Sequence, residues 1–179
     1  LATTGLIVGG AGDPSGSPEG VMTNVESYNG SSFSNETAIP TAFRGGGQAG
    51  SEPAAICVGG VSPASTSTFE YDGSSWTSGG TANTARNTNM AGTAGTQTAA
   101  LIYGGGPSVS QAESYDGTSF AVDSTMASGT SGRGNQNSQA YSTTAIFVGA
   151  PNPPGSAPGA NTVNEYSAAA AATTTVTVS

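Results

Sequence analysis

Histidine and lysine are absent from this 179-residue chain, cysteine occurs once, and charged residues make up only 8% of it. Each absence removes a class of chemistry. With no histidine and a single cysteine, a zinc or copper site of the usual ligands cannot be assembled, and no cofactor is expected. A Ser–His nucleophile pair is equally out of reach. Cys57 has no partner for an intrachain disulfide, and its place in an apolar run marks it as a small buried thiol. The only basic residues are three arginines, and the net charge is -8. That balance lacks the clustered Lys and Arg of a nucleic-acid binder and disfavours docking on an anionic membrane. No apolar run approaches the roughly 20 residues that span a bilayer, so no membrane insertion is expected. No segment holds a 3.6-residue apolar period, which predicts almost no helix. The chain begins at Leu1 rather than Met, as a processed or truncated chain or a piece of a longer polypeptide would.

What is abundant is glycine, 28 residues of it, spread through a repeat. An apolar run closes on a glycine pair, a second short run ends in Tyr-Asp-Gly, and an aromatic follows the tyrosine by five residues. Gly9-Gly10 goes with Tyr28, Asn29, Gly30 and Phe33; Gly59-Gly60 with Tyr71, Asp72, Gly73 and Trp76; Gly104-Gly105 with Tyr115, Asp116, Gly117 and Phe120. A decayed fourth copy has Gly149-Ala150 and Tyr166. The pairs begin at 9, 59, 104 and 149, intervals of 50, 45 and 45, which point to an array of small sheets. Strands are expected at 1–10, at 21–28 and from Phe33, with 37–50 as a connector to the next unit. Asn29-Gly30, Asp72-Gly73 and Asp116-Gly117 read as tight turns. The four units are about 1–43, 44–85, 86–132 and 133–179, in one domain. The first lacks a leading strand, and the β-branched run Thr173 to Val178 offers a spare one that would close the array.

The arginines share a place in the repeat. Arg44, Arg86 and Arg133 precede the next glycine pair by 15, 18 and 16 residues. They could form a ring of cations for an anionic ligand. The favoured reading is structural, with each guanidinium satisfying backbone carbonyls between sheets. Glu26, Glu70, Glu113 and Glu165 each stand one or two residues before a repeat tyrosine; paired carboxylates could serve a glycosidase, but repetition argues against a unique active site. Asp72 and Asp116 could join a calcium shell, although Asp-Gly is more simply a turn. Gly104-Gly105-Gly106 has no following Lys-Ser/Thr or helix and is not a phosphate loop. Tyr28, Tyr71, Tyr115 and Tyr166 fit sheet packing better than a glycan-stacking surface.

Apolar run, glycine pair, Tyr-Asp, aromatic and connector arginine together resemble the kelch repeat, which implies an all-β propeller of small blades, here four, closed by the terminal strand. The wording of Ala94 to Leu101 and of Glu113 to Phe120, with a Thr-rich ending like Thr173 to Ser179, is similar to kelch-like proteins of marine tailed phages, particularly cyanophages. That resemblance implies a non-enzymatic structural protein at the virion surface, whose partners are other virion proteins or copies of itself and a host-surface glycan. The alternative is an extracellular carbohydrate-binding adhesin. Gly149-Ala150 and the missing fourth Asp-Gly turn depart from the pattern, as atypical end units or an excised stretch of a longer array would. Six of the ten prolines lie in the two longest loops. Stiff loops held on a rigid scaffold suit binding, so the expected partner contact comprises Asp13, Pro14, Pro18, Pro151, Asn152, Pro153, Pro154 and Pro158.

Overall fold

The apolar run of each unit forms a strand, and the run ending in the repeat tyrosine pairs with it. The computed structural model describes residues 4–12, 20–60, 64–86, 91–105, 109–125, 144–148 and 163–167. In the first unit β1 (Gly5–Val8), β2 (Val25–Tyr28) and β3 (Phe33–Asn35) make a three-stranded sheet. The second unit has β4 (Gly47–Ser51), β5 (Ala54–Val58), β6 (Thr68–Tyr71) and β7 (Trp76–Ser78), in that order across the sheet. The third repeats it with β8 (Ala91–Thr96), β9 (Ala99–Gly104), β10 (Gln111–Tyr115) and β11 (Phe120–Thr125). In the fourth, β12 (Thr144–Val148) and β13 (Val163–Ser167) form a hairpin. Every pairing is antiparallel. The protein is all-β, with no helix among the described residues, and among those residues no strand pairing joins one sheet to another.

Two expectations are corrected. The first two strands are shorter than 1–10 and 21–28; Val21 makes only an isolated bridge to Ala11. The connector 37–50 holds the start of β4, and 91–96 likewise is a strand. Both leading strands are built of Gly, Ala, Gln, Ser and Thr, so no apolar run announces them. They are small because they run side by side: the Gln48 amide donates to Thr93 Oγ1 at 3.0 Å, and that hydroxyl donates back to the Gln48 carbonyl. The tight turns are four-residue loops, since Tyr28, Tyr71 and Tyr115 pair with Phe33, Trp76 and Phe120. The Asn29, Asp72 and Asp116 side chains close them by accepting from the amides two and three residues on, at 2.7–3.0 Å.

The core lies between sheets. Val8, Val25, Ile39, Phe43 and Cys57 are buried between the first and second, with Leu6, Phe69 and Trp76 packed against them. Ile56, Val58, Ala82, Ala100, Ile102 and Tyr115 fill the space between the second and third. In each of the three, the tyrosine lies against the aromatic five residues on, with ring centroids 4.8, 4.9 and 4.5 Å apart. That contact explains the spacing, because the two residues are directly opposite across the hairpin.

Candidate functional site

The first two glycine pairs are each a docking place for the connector that leaves their own unit. The Gly10 amide donates to the Phe43 carbonyl at 2.8 Å, and the Gly60 amide to the Arg86 carbonyl at 3.0 Å. A Cβ on Gly9 would lie 2.1 Å from the Phe43 oxygen, and one on Gly59 2.8 Å from the Arg86 oxygen. Gly9, Gly10, Gly59, Gly60, Gly104 and Gly105 all have positive φ, between 62° and 120°. The pair is therefore required twice, by backbone conformation and by the approach of the connector.

The two connectors match residue for residue. Glu36, Ile39 and Phe43 donate their amides to Val25, Thr23 and Met22; Gly79, Ala82 and Arg86 donate theirs to Thr68, Thr66 and Ser65. Arg86 thus corresponds to Phe43, and Arg44 lies one residue beyond the slot that the arginine spacing assigned to it. At the seam between the second and third sheets, Arg86 and Glu113 are fully buried and meet at 2.7 Å. The guanidinium also donates to the carbonyls of Gly104 and Gln111. Glu113 further accepts from the Asn83 amide at 2.7 Å, the Asn83 side chain at 3.1 Å and the Thr84 amide at 3.0 Å. Burial pushes the Glu113 carboxyl up, but Arg86 and Asn83 outweigh it and hold it below the ordinary 4.5. At the seam between the first and second sheets, the same three positions carry Phe43 for Arg86, Phe69 for Glu113, and Pro40 for Asn83. An apolar residue replaces each charge, and proline removes the amide that the carboxylate would have accepted.

The repeat tyrosines bridge the same seams through acids. Tyr115 donates its hydroxyl to Glu70 of the preceding sheet, and Tyr71 donates to Glu36 at 3.2 Å. Burial, with the Glu70 carboxylate adding to it, pushes the Tyr115 hydroxyl up to about 12. Tyr71 is raised too, by burial first and Glu36 second. Glu36 is held by the Ser27 hydroxyl at 2.7 Å. In the next unit Glu70 stands where Ser27 stood, and Gly79 where Glu36 stood. A Cβ on Gly79 would lie 3.0 Å from the Tyr115 oxygen, so the carboxylate and the room for it change together.

The arrangement binds units to each other. Arg86 is committed to Glu113 and two carbonyls, so it takes no place in a cation ring. Glu70 and Glu113 face separate partners in the seam. Asp72 and Asp116 are committed to turn amides, which hold both carboxyls below the usual range. Trp76 is half-buried and donates to the Thr37 carbonyl at 2.9 Å, and Tyr28 is half-buried on the outer side of the first sheet. The Cys57 thiol is buried and raised by burial. Among the described residues no three His, Cys, Asp or Glu are grouped as a metal site, and no helix is long and apolar enough to cross a membrane. Arg133, Thr173 to Val178 and the expected contact residues Asp13, Pro14, Pro18, Pro151, Asn152, Pro153, Pro154 and Pro158 lie outside the described residues. Gly149 and Ala150 do as well. Neither Phe43 nor Pro40 stands out by its distance to a glycine pair. Counting forward from the tyrosine finds them, since Phe43 and Arg86 each follow it by fifteen residues. No protein-family model matches the chain, and no curated protein matches it.

Proposed function

We propose that the chain is a non-enzymatic structural protein of a phage virion, in a fibre, appendage or surface decoration. There it packs against other virion proteins or copies of itself and presents a host-attachment surface. The observation that carries this reading is the use made of its few reactive side chains. Arg86, Glu113, Glu70, Tyr71 and Tyr115 all hold sheet to sheet, and the repeat wording of Ala94 to Leu101 and Glu113 to Phe120 resembles phage kelch-like proteins. Within this reading the four units close into a propeller, with Thr173 to Val178 lying beside β1. Two features support closure. Among the described strands β1 pairs only with β2, whereas β5 and β9 each have a leading strand on that side. A cavity of about 350 Å³ lies beside that edge, lined by Gly5, Leu6, Val8, Gln48, Ala49 and Glu52 among others. The test is mass spectrometry of purified particles from a phage encoding the chain. Multiple copies per particle are expected. Particles without it, together with glycan binding by the isolated chain, would favour the adhesin.

A further inference from the structure

The first sheet presents one face that its counterparts do not leave open. Strand register sets Gly5, Ile7, Glu26, Tyr28, Phe33 and Asn35 on that face. Ile7 is 50% and Phe33 57% exposed. The matching face of the second sheet carries Cys57 and Tyr71, and that of the third Ile102, Glu113 and Tyr115, all five buried, while Val122 on the outer strand β11 of the third is 53% exposed. Each of those faces is covered by the preceding unit, which supplies an acid to the tyrosine hydroxyl.

The source of that acid follows a rule. It stands either one residue before the unit's own repeat tyrosine or eight after it, and each unit has an acid at only one of the two positions. The pairs are Ser27 and Glu36, Glu70 and Gly79, Ser114 and Asp123, Glu165 and Thr174. The first two acids reach Tyr71 and Tyr115. The same succession matches Asp123 of the third unit to Tyr166 of the fourth, leaving one acid, Glu165, and one tyrosine, Tyr28. The fourth unit keeps the register: Ile146 pairs with Glu165 as Ile56 pairs with Glu70. We propose that the hairpin β12–β13 of the same chain seats on the open face of the first sheet, and that Tyr28 donates its hydroxyl to Glu165 as the latch of that closing seam. This rests on the closed-ring reading. The tether favours the chain's own fourth unit over a second copy, because joining on one chain raises the effective concentration to the millimolar range.

The test is a double-mutant cycle with Tyr28→Phe and Glu165→Ala, with Tyr71→Phe as reference for a seam already formed, read by melting temperature at several protein concentrations. Mass and small-angle scattering of the unaltered chain are measured alongside. Each single change is expected to lower the melting temperature by roughly 2–4 °C, the size of one hydrogen bond in a chain this long. The double change should lower it no further than the larger single one, independently of concentration, in a monomer with the scattering of a closed ring. Additive effects in a closed ring would overturn the latch and leave the ring reading standing. Scattering of an open arc would overturn both. Coupling that grows with concentration in a dimer would assign the face to a second copy instead.

Discussion

At the scale of single residues, the Arg86–Glu113 pair is costly to break and replaceable as a set. Removing one partner leaves a buried charge without compensation. Arg86→Met or Glu113→Leu alone should therefore cost about 3–5 kcal/mol in urea unfolding. The neighbouring seam already shows an apolar solution, Phe43 with Phe69 and Pro40. Transplanting it as Asn83→Pro, Arg86→Phe and Glu113→Phe should recover most of that loss. Arg86→Phe with Glu113→Phe alone should recover less, because the Asn83 amide would lose its carboxylate acceptor at the seam. A triple variant no more stable than the single ones would refute the equivalence of the seams. Tyr115 sets the alkaline limit. Its hydroxyl is held protonated in the fold, up to about 12 against an ordinary 10. The stability this contributes is complete below pH 10 and falls as pH rises toward 12, where the unfolded chain ionises first. Tyr115→Phe should flatten that fall, as measured by unfolding across the alkaline range.

At the scale of elements, the glycine pair and connector act together. Gly59→Ala forces a Cβ into positive φ and against the Arg86 carbonyl 2.8 Å away. A loss of at least about 1–2 kcal/mol is expected from the backbone conformation alone. A melting temperature within error of the parent would show that the connector is free to move. This scale also shows what could be read from the chain. The apolar runs, the tyrosine hairpins and their aromatics were legible, because burial on a strand leaves an apolar signature. The leading strands β4 and β8 were not, since close side-by-side packing selects Gly, Ala and Thr, the composition of a loop. The arginine spacing misled for a different reason. The distance to the next glycine pair runs across connectors of unequal length, whereas the slot is fixed by the hairpin behind it. Counted that way, the position holds Phe43 and Arg86, and two dissimilar side chains share one backbone role.

For the whole molecule, an array of sheets that touch only their neighbours gains stability seam by seam, so its open ends matter most. In the proposed ring Thr173 to Val178 covers the free edge of β1. Deleting 173–179 should then yield oligomers or aggregates in size-exclusion chromatography with light scattering, since an unpaired edge recruits other chains. A truncated chain that stays monomeric and melts as before would count against closure. The difference between the two seams has a consequence for how such a chain can change. One joint is greasy and the next is ionic, and each matches only the unit it faces, like keyed plugs and sockets. A recombination that set a second copy of 44–86 after the first would bring the first copy's Arg86 against the second copy's Phe69, with no carboxylate to receive it. The stranded guanidinium would tax every copy of the product. Slippage between look-alike repeats is therefore penalised at this joint, and the order of the units is held in place even though their outlines are nearly the same.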